Sequence, residues 1–124
     1  MKKLIIGSVM VAAIVLAISA QADQPSKHAA TVVTGEVVDT GCYLGHSSKG
    51  ASHAECATMC INQGMPMGVL TQKGELYLVT MNHDNPDAFN KLKKMAGKSV
   101  SVTGHVYTRA GMTAVEIDTF KPAA

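Results

Sequence analysis

The chain has 124 residues, which is enough for one domain, and a formal net charge of only +2. So small a charge excludes the strongly basic surface on which binding to nucleic acids or anionic membranes depends. The chain has three tyrosines, two phenylalanines and no tryptophan, so it also lacks the stacking surface of a single-strand binder. We therefore predict no nucleic-acid partner.

The N-terminus has the three parts of a secretory signal peptide. Lys2 and Lys3 precede an apolar run over residues 4–18, and small residues follow up to Ala22. The run is shorter than the roughly 20 apolar residues that a membrane anchor needs. We predict a signal peptide over 1–22, a periplasmic or secreted protein, and no membrane partner after cleavage. The rest of the chain has nine basic and nine acidic residues, so its net charge is near zero.

Three segments are predicted after the signal peptide. Residues 23–30 have no hydrophobic period and form a flexible leader, residues 31–120 form one domain, and residues 121–124 form a loose tail. The domain opens with residues 31–43, which are rich in β-branched side chains and predict a strand. Cys42 is expected at the far end of that strand.

A helix that carries two cysteines is predicted next, after a loop over residues 44–51. Ser52 and Glu55 have the spacing of a capping box, in which two side chains satisfy the backbone at a helix start. The helix is expected to continue to about Ile61, and Gly64 is a natural stop for it.

Two short strands and a second helix follow. Residues 67–72 and 75–81 predict a hairpin, because a glycine turn separates two apolar runs. Asn85 and Pro86 predict a helix start, with a capping side chain before proline at the first helical position. Five apolar residues then form one stripe on that helix: Ala88, Phe89, Leu92, Met95 and Ala96.

The last two predicted strands have the clearest alternation of apolar and polar residues. Residues 98–108 place four small or branched residues on one face: Val100, Val102, Gly104 and Val106. Residues 112–120 form the final strand after a glycine turn, with Val115 and Ile117 pointing inward.

The predicted order is strand, helix, strand, strand, helix, strand, strand. Without the first helix, it resembles the OB-fold, a five-stranded barrel, here with one helix between its third and fourth strands. The segments 35–39, 97–104 and 111–112 carry this resemblance. We therefore expect a mainly β, five-stranded OB-fold-like barrel with a cysteine-bearing helix inserted after strand 1.

Three motifs resemble those of a group of small exported bacterial proteins: Cys-Tyr, His-x-x-Cys-Ala-x-x-Cys and Gly-x-Pro-x-Gly. In this chain they are Cys42-Tyr43, residues 53–60 and residues 64–68. The resemblance implies the fold and a site on the cysteine helix, and it implies no particular reaction.

The cysteine helix predicts a metal site. His53, Cys56 and Cys60 fall within an arc of about 60° on one helix face. Cys42 supplies a third thiol, and three thiolates with one imidazole are a standard ligand set for Zn²⁺. An odd number of cysteines in an exported protein also leaves one thiol without an intrachain partner.

Other metals and ligands remain open at this point. Soft thiolates with thioethers nearby suit Cu(I), so Zn²⁺ and Cu(I) are the favoured ions. An iron–sulfur cluster or non-covalent haem is a further alternative. His46 and Met59 are candidates for additional ligands, whereas core packing is the simpler explanation for the methionines.

The alternative to a metal site is a disulfide that joins Cys42 to Cys56 or Cys60. Such a bond would staple the inserted helix to the barrel and leave one free or redox-active thiol. The protein would then be an OB-like binding module without a metal.

No pattern predicts turnover of an organic substrate. The serines near the cysteines lack a nucleophile elbow. Solvated positions are expected for three aspartates at strand or loop ends: Asp39, Asp84 and Asp118. Polar surface positions are expected for two histidines, His83 and His105. The favoured function is metal binding, delivery or electron transfer without catalysis, with a metal ion and another periplasmic protein as partners.

Overall fold

The computed structural model describes residues 29–124. The predicted signal peptide, and all of the predicted leader except Ala29 and Ala30, lie outside the described residues. Within residues 29–124, no helix has the length and apolar character needed to cross a bilayer.

The described chain is mainly β, as predicted, and its five strands form one closed sheet. The strands are β1 (Thr31–Asp39), β2 (Met67–Leu70), β3 (Leu76–Met81), β4 (Ser99–Arg109) and β5 (Met112–Pro122). Their order around the sheet is β1-β2-β3-β5-β4, and β1 pairs with both β2 and β4, so the sheet has no free edge. The β3–β5 pair is parallel and the other pairs are antiparallel.

Three short helices connect the strands: α1 (Thr40–His46), α2 (Ala54–Asn62) and α3 (Pro86–Leu92). Two of them, α1 and α2, follow β1, and α3 lies between β3 and β4. The sequence predicts α2 and α3 but not α1.

The core fills the inside of the sheet and is made largely of valines. The predicted alternation of β4 is confirmed, because Val100 and Val102 have no exposed surface and Val106 is half-buried. Val115 and Ile117 on β5 are fully buried, also as predicted.

The predicted strand over 31–43 is too long. β1 ends at Asp39 because the Asp39 side chain accepts a hydrogen bond from the Cys42 backbone N–H at 2.7 Å and so caps α1. Cys42 therefore lies in the first turn of a helix and not at a strand end. The predicted loop over 44–51 is partly helical, since α1 continues to His46.

The cysteine helix α2 lies where it is predicted, but its start differs. A 3-10 turn over Ala51–His53 leads into it, and the backbone N–H of His53 donates to the Gly50 carbonyl at 3.0 Å. The predicted capping box does not form, because no side chain caps this helix and Ser52 and Glu55 are exposed. The predicted stop is confirmed by the left-handed φ of 105° at Gly64.

Smaller differences concern the ends of the other elements. β2 and β3 are shorter than predicted, and β5 extends to Pro122, so half of the predicted loose tail is strand. α3 starts at Pro86 as predicted, and a 3-10 turn over Lys93–Met95 continues its apolar stripe. The Asn85 side chain does not cap α3, and its amide N–H donates to the Asp118 carbonyl at 3.1 Å.

Gly97 determines how closely α2 packs on the sheet. Its backbone N–H donates to the Val37 carbonyl at 2.8 Å, and its φ of 74° is left-handed. A Cβ atom at Gly97 would lie 2.6 Å from Cβ of Ala54, the first residue of α2. β1, the turn before β4 and the start of α2 therefore meet at a position without space for a side chain.

Gly97→Ala is expected to destabilise the protein more than Gly74→Ala. Both glycines have a left-handed φ, which costs other residues about 1–2 kcal/mol, but nothing lies within 4 Å of a Cβ at Gly74. We expect an additional loss of about 1–3 kcal/mol for Gly97→Ala from overpacking against Ala54. Urea unfolding of the metal-free proteins measures the free energies, and equal values for the two variants would contradict the close packing of α2.

Candidate metal centre

The four predicted ligands and Asp39 come together from four parts of the backbone. The end of β1 supplies Asp39, the first turn of α1 supplies Cys42, and the 3-10 turn before α2 supplies His53. Cys56 and Cys60 lie one helical turn apart on α2. The four predicted ligands are all half-buried, whereas Asp39 has no exposed surface.

Two overlapping groups of ligand atoms define the site. The ligand atoms of Cys42, His53 and Cys56 all lie within 4.8 Å of one another, and so do those of Asp39, Cys42 and Cys60. Ligand bonds of about 2.0–2.3 Å to a tetrahedral zinc ion put neighbouring ligand atoms roughly 3.3–3.8 Å apart. The limit of 4.8 Å includes that spacing, and Cys42 belongs to both groups.

The structure does not support the disulfide alternative. All three cysteines lie within the described residues, and each is a free thiol. The inserted helix is attached to the rest of the protein by packing instead, because Ala57 and Ile61 on its inner face belong to the hydrophobic core.

Asp39 is the residue of the site that sequence reasoning misses. The prediction that its carboxylate is solvated is wrong, since the side chain is fully buried. One oxygen, Oδ1, accepts from the Cys42 backbone N–H at 2.7 Å, and the other, Oδ2, lies 3.1 Å from Nε2 of His53. The spacing Asp-x-x-Cys is a usable signal, because aspartate is a favoured N-cap three residues before a helical backbone N–H.

Hydrogen bonding and burial keep two of the thiols protonated in the metal-free protein. The pKa of Cys42 is raised to about 12, chiefly because its thiol donates a hydrogen bond to the Asp39 carboxylate, with burial and nearby negative charge adding to the effect. Burial also raises the pKa of Cys60, and its hydrogen bond with Cys56 raises it further. A metal ion that binds both sulfurs must therefore displace their protons.

The two additional candidate ligands, His46 and Met59, are both exposed. His46 ends α1 and is exposed, and the groups of nearby ligand atoms do not include it. Met59 is 55% exposed and lines a shallow surface cavity with Glu55 and Thr58, on the outer side of α2.

Among residues 29–124, the remaining histidines and aspartates lie outside the two groups. His83 and Asp84 are exposed, as predicted. His105 is partly exposed, as a polar surface residue would be, and Asp118 is less solvated than predicted because its Oδ2 lies 3.3 Å from Nε2 of His105.

A methionine thioether lies next to the cysteine site. A Cβ atom at Gly41 would lie 2.6 Å from both Sδ and Cε of Met65, so this side chain covers the residue before Cys42. Met65 is itself 38% exposed. A thioether sulfur therefore lies against the residue that precedes Cys42, although the sequence gives no reason to prefer Met65 over Met59.

Comparison with known proteins does not extend this description. No protein-family model matches the chain, and searches of curated proteins and of solved structures found no match either.

In a titration of the metal-free, reduced protein, the Cys42 thiol is expected to ionise at a higher pH than an ordinary cysteine. Since its pKa is raised to about 12, the Cys42 thiol stays protonated as pH rises through the usual thiol range. The ultraviolet absorbance of thiolate measures this, and the step at highest pH should disappear in Cys42→Ser. An unchanged curve shape in Cys42→Ser would contradict the hydrogen bond to Asp39.

Proposed function

We propose that this protein binds one metal ion through Cys42, His53, Cys56 and Cys60. The observation that carries the proposal is that the free thiols of Cys42 and Cys56 and the His53 imidazole lie within 4.8 Å of one another, and that the Cys60 thiol lies within 4.8 Å of Cys42. Such a set matches the Cys₃His ligand composition of tetrahedral zinc sites. When bound, the ion would link α1 to α2.

Charge favours a divalent ion. Three thiolates and the buried Asp39 carboxylate together carry four formal negative charges in a partly enclosed site. A divalent cation neutralises more of that charge than a monovalent one, and uncompensated charge is costly away from water. An imidazole ligand is also common for Zn²⁺. We therefore propose Zn²⁺ as the preferred ion.

Cu(I) is the second candidate, and one observation favours it. The Met65 thioether covers Gly41, next to Cys42, and thioethers with thiolates are the soft ligands that Cu(I) prefers. In this case the ion would be held by sulfur, and His53 would contribute less to the affinity.

Partial exposure of the ligands supports exchange of the ion and not a purely structural role. His53, Cys56, Cys60 and Cys42 are half-buried and lie on short helices outside the closed sheet. The sheet closes through its own strand pairs and does not require the site. We propose metal delivery or storage in an exported protein, with a second exported protein as the donor or acceptor of the ion.

The OB-like fold is part of the same proposal. It is supported by the strand order β1-β2-β3-β5-β4, by the closed sheet and by the position of α3 between the third and fourth strands. An experimental structure with a different strand order would contradict it. In such a fold, α1 and α2 form an insertion that carries the whole metal site.

The test uses the full chain, exported in a bacterial host and purified from the periplasm without added reductant or chelator. Native mass spectrometry should find chains that lack residues 1–22 and carry one zinc ion each. Copper in its place would support the second candidate. One disulfide per chain without stoichiometric metal would overturn the proposal, and retained residues 1–22 would contradict export.

Two histidine variants provide a matched comparison in the same protein. His53→Ala is expected to lower the zinc affinity by more than about 100-fold, because a lost ligand should cost more than the 10–100-fold typical of a lost outer hydrogen-bond partner. His46→Ala, which removes the exposed histidine of α1, should leave the affinity unchanged. Competition with a chelator of known affinity measures both values.

A further inference from the structure

The buried carboxylate of Asp39 has a polar partner on each oxygen, in addition to the hydrogen bond that it accepts from the Cys42 thiol. Oδ1 accepts from the Cys42 backbone N–H at 2.7 Å, and Oδ2 lies 3.1 Å from Nε2 of His53. The Asp39 side chain has no exposed surface, and that of His53 is 19% exposed. One rigid group therefore contacts both the backbone of one predicted ligand and the ring of another.

We propose that Asp39 is a positioning residue that orients His53 so that Nδ1 faces the metal ion. The proposal rests on the metal site proposed above. An ionised carboxylate can only accept hydrogen bonds, so Nε2 of His53 must carry the proton that it donates to Asp39. The lone pair then lies on Nδ1, the one ring nitrogen free to bind an ion. A carboxylate behind a ligating histidine fixes its tautomer and makes it a stronger ligand.

The location of Asp39 explains how the same residue also positions Cys42. As the N-cap of α1, it fixes the first turn of the helix in which Cys42 lies. His53 lies in the turn that leads into α2, so the contacts of Asp39 fix the start of α1 relative to the start of α2. Removal of its charge should affect the His53 ring more than the backbone, because other capping residues can replace the first contact.

Asp39→Asn separates these two roles. Asparagine is also a good N-cap, so its amide oxygen can still accept from the Cys42 N–H. Its amide nitrogen would then face Nε2 of His53 as a donor, and Nε2 would have to accept. The ring proton would move to Nδ1, where it blocks the metal ion.

A direct bond between Asp39 and the metal is the competing explanation. The ligand atoms of Asp39, Cys42 and Cys60 also lie within 4.8 Å of one another. If Asp39 were a ligand, its substitution would weaken binding whether or not His53 were present.

A double-mutant cycle with zinc distinguishes the two explanations. The four proteins are the unaltered chain, Asp39→Asn, His53→Ala and the double variant, and their zinc affinities are measured by competition with a chelator. We expect Asp39→Asn to lower the affinity by about 10–100-fold when His53 is present. In the His53→Ala background the same substitution should not lower the affinity, because it no longer acts through the ring and it removes the carboxylate that keeps the Cys42 thiol protonated.

Equal losses in both backgrounds, or no loss in either, would overturn the positioning role while leaving the metal site intact. Failure of the unaltered chain to bind zinc would instead overturn the proposed function itself. Thermal unfolding of the metal-free proteins checks that each variant folds. If Asp39→Asn does not fold, Asp39→Ser replaces it in the cycle, because serine is also a favoured N-cap and is too short to reach the His53 ring.

Discussion

The contacts of the Asp39 carboxylate hold the functional region together. This side chain ends β1, caps α1 and contacts His53 at the entrance to α2. A buried carboxylate is unfavourable unless its oxygens are hydrogen-bonded, so the partners of Asp39 must stay in place for the protein to remain folded. The hydrogen bonds that the Asp39 carboxylate needs therefore fix Cys42 and His53 relative to one another before any ion binds.

The rest of the fold provides a rigid base for this arrangement. The five strands close on themselves, and fully buried residues such as Val102 and Ile117 fill the interior. α2 packs against this base through Ala57 and Ile61 and through the close contact between Ala54 and Gly97. Only one face of α2 is needed for packing, so Cys56 and Cys60 are left for the site. Preorganisation of this kind reduces the cost of collecting soft ligands around one ion.

Elements with a strong local pattern could be predicted from the sequence. The alternation of β4 depends only on which neighbouring residues are apolar, and it is confirmed. The spacing on the cysteine helix also brings His53 and Cys56 into one group of ligand atoms, whereas Cys60 belongs to the other. α1 could not be predicted in this way, because residues 31–40 are rich in β-branched side chains up to and including Thr40. The burial of Asp39 depends on His53, which is 14 positions away along the chain, so no local pattern reveals it.

The free thiols have a similar explanation. An odd number of cysteines left both a metal site and a disulfide open, because sequence spacing does not determine how sulfur atoms meet. In the structure Cys42 approaches both Cys56 and Cys60 without bonding to either. One ion can bind Cys42 and both of its neighbouring thiols, whereas a single disulfide joins Cys42 to only one of them.

X-ray absorption spectroscopy of the zinc-loaded protein tests the central claim most directly, because it counts the atoms bound to the metal. The account predicts three sulfur atoms at about 2.3 Å and one nitrogen at about 2.0–2.1 Å from zinc. A first shell of oxygen and nitrogen atoms without sulfur would contradict it.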